Sequence, residues 1–240
     1  MVTEMNRQYP FPTEGLEKKI KYTFSDKKKL ELALTHSSYS NEMKAKDIQT
    51  DSNERLEFLG DSVLSFVTSE YLFSEFSRLP EGDLSRIRAS AVCEKTLHKL
   101  ASAINLGDYL LLGHGEENTN GRNRPSILAD AFEALLAAMY LDGGIGPVKA
   151  FLLPRIVAEV SAIMRTGKDF DYKTSLQQVI QQEKGDILEY ITVNETGPAH
   201  MREFTVEARL NGNIIGRGVG TTKRAAEQSA AKEALSLFGI

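Results

Sequence analysis

The chain has 240 residues, of which 41% are hydrophobic and 26% charged, and its formal net charge is −4 at pH 7. Such values are ordinary for one or two soluble domains. The chain has no apolar run of about eighteen residues, which excludes a transmembrane helix, and only one cysteine, which excludes an internal disulfide.

Three further expectations follow from composition. Residues 1–8 lack the apolar core of a secretory signal, so a cytoplasmic location is expected. The single cysteine, Cys93, is predicted to be a buried small hydrophobe. The histidines are scattered along the chain and do not predict a histidine-based catalytic site: they are His36, His98, His114 and His200.

The first part of the chain, residues 1–164, is predicted to be an all-helical domain. Apolar residues recur there at helical spacing, and no strand-like alternation persists. The predicted helices cover residues 28–34, 53–76, 83–104 and 126–141. A polar loop at 115–125 leads directly into the last of them.

Three acidic residues share one face of the helix predicted at 53–76. Glu54, Glu57 and Asp61 fall within a narrow sector at about 100° per residue. Gly60 removes a side chain beside Asp61 and lets backbone or ligand approach closely. The opposite side carries residues that can pack into a core: Leu56, Leu59 and Val63.

A second acidic pair, Asp130 and Glu133, lies in the helix that Ser126 is predicted to cap. Like charges at this spacing cost an isolated helix roughly 0.2 to 0.5 kcal/mol per pair. Surface acids that serve only solubility explain many such pairs. A hard divalent cation such as magnesium is the other explanation, because it prefers oxygen ligands and can activate water and stabilise a leaving oxygen in phosphate chemistry.

The periodicity changes after a linker predicted at 165–170. A helix at 174–182 is followed by strands at 188–194, 204–211 and 214–219 and by a helix at 222–238. Asn211-Gly212 predicts a tight hairpin between the last two strands. Residues 171–240 therefore form a predicted α-β-β-β-α domain of the α+β class.

Three segments of the first domain resemble the ribonuclease III family. Residues 53–62 resemble its ten-residue signature, and residues 81–85 and 126–135 resemble its two other conserved blocks, in the same order. The resemblance implies an all-α endonuclease domain with four metal-binding acids: Glu57, Asp61, Asp130 and Glu133. It also implies two further catalytic acids, Glu54 and Glu81.

Two segments of the second domain, 171–177 and 218–227, resemble the double-stranded-RNA-binding domain. The resemblance implies shape-based contacts to duplex RNA from the first helix, a loop and the start of the last helix. The residues expected to make these contacts are Thr174, Gln177, Gln178, Gln181, His200, Lys223 and Arg224. Position 178 is Gln where many family members carry Glu.

Phe58 lies nearer to the acids of its helix than to the apolar stripe, which suggests burial against a partner. The family pairs two such domains, so the resemblance implies a homodimer with Phe58 at the interface. Packing of Phe58 under a neighbouring loop of the same chain is the other explanation.

The sequence thus predicts a dimeric, magnesium-dependent endoribonuclease, with manganese as a substitute and with no membrane or small-molecule cofactor as partner. The resemblance implies cutting of both strands of duplex RNA, with 5′-phosphate and 3′-hydroxyl ends and short 3′ overhangs, in ribosomal and other precursor transcripts. Two alternatives remain. One is a duplex-RNA binder that has lost cleavage, although all six acids are present, and the other is a metal-dependent phosphohydrolase of small substrates.

Overall fold

The computed structural model describes residues 10–166, 172–180, 185–198 and 201–238. Its helices and strands are α1 (Thr13–Ile20), α2 (Lys27–Ala33), α3 (Ser37–Lys44), α4 (Glu54–Glu75), α5 (Glu81–Ala91), α6 (Glu94–Ala103), α7 (His114–Asn118), α8 (Pro125–Gly143), α9 (Ile145–Thr166), α10 (Tyr172–Ile180), β1 (Leu188–Thr196), β2 (Glu203–Leu210), β3 (Asn213–Gly220) and α11 (Lys223–Leu237). None of the described helices has both the length and the apolar composition that a membrane span requires.

The chain divides into two compact units, residues 1–74 with 88–165 and residues 75–87 with 166–240. The described part of the first unit is helical, and that of the second contains the three-stranded sheet. The predicted fold class, an all-α domain followed by an α-β-β-β-α domain, is confirmed. The predicted boundaries at 164 and 171 stay predictions.

α8 is the central helix of the first unit. Its side chains are buried on almost every side, as expected for a helix that is apolar all round. The fully buried members include Phe132, Ala134, Leu135, Leu136, Ala137, Ala138 and Met139. Asp130 and Glu133 are the acidic exceptions in the first half of this helix, and both are only half-buried.

α4 and α8 approach each other closely at one point. A Cβ added to Gly60 of α4 would lie 1.9 Å from the backbone oxygen of Glu133 in α8. Only glycine fits this contact, so the glycine predicted to allow close approach beside Asp61 does so against the other acidic helix. The contact brings the acidic faces of the two helices together.

Three sequence predictions about the first unit are wrong. The helix predicted at 83–104 is two helices, because Cys93 takes an extended conformation and caps α6. Cys93 is exposed there and not buried. Ser126 does not cap α8, since Arg124 is the N-cap residue, without a side-chain cap, and Pro125 occupies the first turn.

The second unit contains an antiparallel sheet in the order β1-β2-β3. Asn211 and Gly212 both have positive φ angles, 51° and 82°, which confirms the hairpin between β2 and β3. The sheet packs on α11 through backbone contact. A Cβ on Gly218 would lie 2.1 Å from the backbone nitrogen of Ala230, so small residues on both elements set this spacing.

Gly60→Ala tests whether the contact between α4 and α8 supports the first unit. The added methyl group must push one helix away from the other, which we expect to lower the free energy of unfolding by ~2 kcal/mol or more and the melting temperature by about 4 to 8 °C. Gly146→Ala is the matched control, because a Cβ on Gly146 in α9 meets no atom within 4 Å. Equal melting temperatures for both variants, measured by circular dichroism, would contradict the contact.

Candidate metal centre

Three carboxylates of the first unit form a cluster. Oxygens of Glu57, Asp130 and Glu133 lie within 4.8 Å of one another, and all three residues are half-buried. α4 supplies Glu57 from its first turn, and α8 supplies the other two. The helices hold these oxygens together because the contact at Gly60 lies one turn from Glu57 and directly against Glu133.

The pKa of each of the three clustered acids is raised above its ordinary value. Burial, followed by the charges of Asp61, Glu57 and Asp130, raises the pKa of Glu133 to about 8. Burial is also the largest cause of the raised pKa of Glu57 and of Asp130. Desolvated carboxylates of like charge resist ionisation unless a cation lies between them.

The donor set fits a hard divalent cation. All the candidate ligands are carboxylate oxygens, the ligands that magnesium, manganese and calcium prefer, and no thiolate or imidazole joins the cluster in the described part of the chain. A few carboxylates also leave coordination positions for water and substrate oxygens, which a magnesium site requires.

The other predicted acids have different positions. Asp61 is exposed and its carboxylate is not part of the cluster, although its charge contributes to the raised pKa of Glu133. Glu54 accepts a hydrogen bond of 2.7 Å from Ser52 Oγ, and its charge contributes to the raised pKa of Glu57. Glu81 lies in the second unit, where it accepts a hydrogen bond of 2.6 Å from Ser85 Oγ.

The charges of two predicted site acids, Asp130 and Glu54, act on His36, which the scattered spacing of the histidines did not indicate. Burial lowers the pKa of His36, and the charges of Glu116, Asp130 and Glu54 oppose that effect. Its ring is half-buried and caps α3. No local pattern signals this position, because His36 is distant in sequence from every acid that surrounds it.

Five of the predicted RNA-binding residues lie on two described helices of the second unit. Gln177 and Gln178 are exposed on α10, as is Thr174. Lys223 and Arg224 are exposed in the first turn of α11, where Thr222 Oγ1 caps the helix by accepting a hydrogen bond of 3.1 Å from Ala225 N. Two more predicted contacts, Gln181 and His200, lie outside the described residues.

Phe58 is one of three exposed phenylalanines on α4. Phe58 is 79% exposed, Phe66 56% and Phe73 75%. At about 100° per residue they fall within roughly 80° of one another, beside the sector of the acids. No loop of the described chain covers Phe58, so packing under a neighbouring loop does not account for it.

Two family models match the chain. Residues 26–160 match a model described as ribonuclease-III-like, and residues 172–237 match the double-stranded RNA binding motif. Ribonuclease 3 of Clostridium tetani is 47% identical over 92% of this chain and 93% of its own length. Ribonuclease 3 of Caldanaerobacter subterraneus is 48% identical over 94% of this chain and 97% of its own.

The first unit also resembles a solved structure, the nuclease domain of ribonuclease III from Campylobacter jejuni. The TM-score is 0.56 at 44% identity, over 62% of this chain and 98% of that one. That structure shows flexibility in a region involved in dimer formation of the nuclease domain. The chain belongs to the ribonuclease III family, with a nuclease domain followed by a double-stranded-RNA-binding domain.

Proposed function

We propose that this protein is a divalent-metal-dependent endoribonuclease that cuts both strands of double-stranded RNA. Its products would carry 5′-phosphate and 3′-hydroxyl ends with short 3′ overhangs, and its substrates would include ribosomal and other precursor transcripts. The observation that carries the proposal is the carboxylate cluster of Glu57, Asp130 and Glu133, in a chain that also contains a duplex-RNA-binding motif.

Magnesium is the proposed cation, with manganese as a substitute. Glu57, Asp130 and Glu133 would hold it, with Asp61 as the fourth acid. The bound cation would make a water nucleophilic near neutral pH and neutralise charge on the phosphate and the leaving 3′ oxygen. To hold the cation as a carboxylate, Glu133 would have to release the proton that its raised pKa favours.

Glu54 and Glu81 are proposed as the two further catalytic acids. Glu54 begins α4, one turn before Glu57, and its charge already acts on that carboxylate. Glu81 begins α5, where Ser85 fixes one of its oxygens. Their roles would be to accept hydrogen bonds from water and to organise the site.

The second unit would supply the affinity for duplex RNA. Lys223 and Arg224 stand beside the first backbone N–H groups of α11, and phosphate oxygens can bind both at once. The ammonium of Lys223 lies 5.8 Å from the centre of the Phe204 ring, which restrains its direction. We propose that Gln177 and Gln178 of α10, with Thr174, enter one minor groove.

The exposed phenylalanines of α4 support a homodimer. Three large aromatic side chains on one face of a helix form a surface that a second copy can bury. This face adjoins the acidic sector of α4, so two paired copies would carry two neighbouring acidic sites. Each site would cut one strand of the duplex.

Metal binding is expected to change the pH dependence of stability. Because the folded state raises the pKa of Glu133 from 4.5 to about 8, the metal-free protein should lose stability as the pH rises through that window. Magnesium at pH 8 should restore it. In chelator at pH 8, the melting temperature of Glu133→Gln should be about 2 to 4 °C above that of the wild type. A gain of ~1 kcal/mol in the free energy of unfolding gives this shift in a protein of about 150 to 250 residues.

Scanning calorimetry at pH 5 and pH 8, with magnesium and with chelator, measures this effect. Glu14→Gln is the matched control, because Glu14 is an exposed acid of α1 outside the cluster. If magnesium raises the melting temperature at pH 8 equally in the wild type and in Glu133→Gln, this result would contradict the metal site.

Cleavage is tested by incubating the chain with long double-stranded RNA, single-stranded RNA and double-stranded DNA, each with magnesium and with chelator. We expect magnesium-dependent cutting of duplex RNA alone. Glu133→Gln and Asp61→Asn should retain duplex binding. Their cleavage rates should fall by more than ~10- to 100-fold, which is the usual loss when a residue that only supports a metal ligand is replaced.

The double variant Lys223→Ala, Arg224→Ala is the complementary control. It should keep the metal response of the melting temperature, bind duplex RNA more weakly, and reduce the slope of log K against log salt by about 1 to 2. Binding of duplex RNA without cutting by the wild type would favour a binding protein over a nuclease.

The dimer is tested with Phe58→Ala combined with Phe66→Ala. Truncating two central aromatic side chains of an interface should raise the dimer dissociation constant at least ~30-fold, as for hot-spot residues worth about 2 kcal/mol. Analytical ultracentrifugation measures this constant. Leu141→Ala, at a 49% exposed position outside the α4 face, should leave it unchanged. A monomeric wild type would refute the dimer.

A further inference from the structure

The ring of His36 is fixed by its own segment of the first unit. The backbone N–H of His36 donates to Leu111 O at 3.1 Å. Its Nδ1 accepts a hydrogen bond from Ser38 N at 3.2 Å and lies 2.8 Å from Ser38 Oγ. Ser38 Oγ in turn accepts from Gly113 N at 2.9 Å. Backbone and ring are therefore held from both sides.

This network determines which ring nitrogen carries the proton. Gly113 N–H donates to Ser38 Oγ, so the Ser38 hydroxyl is free to donate its own hydrogen to His36 Nδ1. Nδ1 also accepts from Ser38 N–H and therefore carries no proton. In the neutral ring the proton is on Nε2. Among the described residues Nε2–H has no hydrogen-bond partner.

The fold does not need this second nitrogen. The cap of α3 uses only the acceptor Nδ1, which an Asn, Asp or Ser side chain supplies equally well. His36 adds a donor on the far side of the ring, beyond the part that caps the helix. His36 has no buried side-chain nitrogen without a hydrogen-bond partner. Because Nε2 has no such partner among the described residues, it is at least partly accessible to solvent.

Two connections place His36 beside the carboxylate cluster. Thr35 O accepts from Asn53 N at 2.8 Å, and Asn53 directly precedes Glu54 at the start of α4. On the other side, Glu42 of α3 accepts from His114 N at 2.9 Å at the start of α7. These contacts fix the segment that carries His36 to the start of α4 and to α7.

α7 continues this connection to the second acidic helix. Its Glu116 pairs with Arg124 at 2.6 Å, and Arg124 is the N-cap residue of α8, six positions before Asp130. The charges that act on the pKa of His36 agree with this connection, because they belong to residues of α4, α7 and the start of α8: Glu54, Glu116, Arg124 and Asp130. These contacts therefore connect the segment of His36 to the starts of the two helices that form the carboxylate cluster.

We propose that His36 is a further substrate-binding residue, whose Nε2–H donates a hydrogen bond to a backbone oxygen of the RNA strand that lies at the carboxylate cluster. This inference rests on the proposed function. A neutral donor suits this position, because it binds a phosphate oxygen or a 2′-hydroxyl and does not compete with the cation for the carboxylates. A ring fixed in advance also loses little side-chain entropy when the substrate binds.

Two substitutions separate the donor from the cap. His36→Asn keeps an acceptor that caps α3 but is too short to place a donor where Nε2 lies. His36→Gln places an amide N–H near that point. In single-turnover cleavage of duplex RNA with magnesium, we expect His36→Asn to lower kcat/KM about tenfold to a hundredfold, which is ~1.4 to 2.7 kcal/mol. His36→Gln should regain much of that loss.

Three measured properties of His36→Asn should equal those of the wild type if His36 acts on the substrate. They are the melting temperature, its increase on adding magnesium at pH 8, and the affinity for duplex RNA in chelator. A duplex with one 2′-deoxynucleotide at the cut identifies the acceptor. If His36→Asn causes no additional loss on that duplex, the acceptor is the 2′-hydroxyl, and if the loss persists, it is a phosphate oxygen.

Cleavage by His36→Asn at the wild-type rate would overturn the inference. Equal losses in both variants, together with a lower melting temperature or a weaker magnesium response, would also overturn it, because His36 would then act through the fold or the cation. A wild-type chain that does not cut duplex RNA would instead refute the proposed function, and this contact with it.

Discussion

The site depends on the close approach of α4 and α8 at Gly60 and Glu133. A side chain at position 60 would collide with the backbone of α8, so glycine alone permits this spacing. The same spacing brings Glu57, Asp130 and Glu133 together. Burial is the largest cause of the raised pKa of each, and the charges of neighbouring acids add to it. The packing of the unit around α8 therefore sustains a repulsion that the acids alone would relieve by moving apart. A divalent cation would remove that repulsion, so metal binding would link the stability of this fold to its proposed chemistry.

The features that the sequence predicted well are local ones. The spacing of Glu54, Glu57 and Asp61 places them on one face because a helix repeats every 3.6 residues, whatever surrounds it. The turn at Asn211-Gly212 needs two positive φ angles, which these two residues adopt readily. The chain order of the second unit follows in the same way from alternating and helical periodicities. The grouping of α4 with α8 is not local, and the resemblance to a known family was needed to pair their acids.

The features that the sequence did not predict depend on tertiary contacts or on competing local signals. Ser126 is a good cap, but Pro125 suits the first turn of a helix, and α8 begins two residues earlier than a Ser126 cap would allow. Periodicity continues across the break at Cys93, so it did not reveal that one predicted helix is two. His36 is the strongest case. The segment of His36 is held by hydrogen bonds to Leu111, Asn53 and Gly113, and these tertiary contacts are not encoded by any spacing.

RNA and the carboxylate cluster carry charge of the same sign, which bears on the roles proposed for the two units. Acidic residues gathered at the ends of two helices repel phosphate unless a cation is bound, so the first unit alone should bind duplex RNA poorly. The second unit is not strongly basic, but its Lys223 and Arg224 lie at a helix start, where backbone N–H groups add to their attraction. Under the proposed function, affinity would come from a few well-placed cationic side chains on one unit, and chemistry from carboxylates on the other. Within the acidic unit, the neutral N–H donor proposed at His36 Nε2 would contact the RNA backbone without adding to the repulsion or displacing a bound cation.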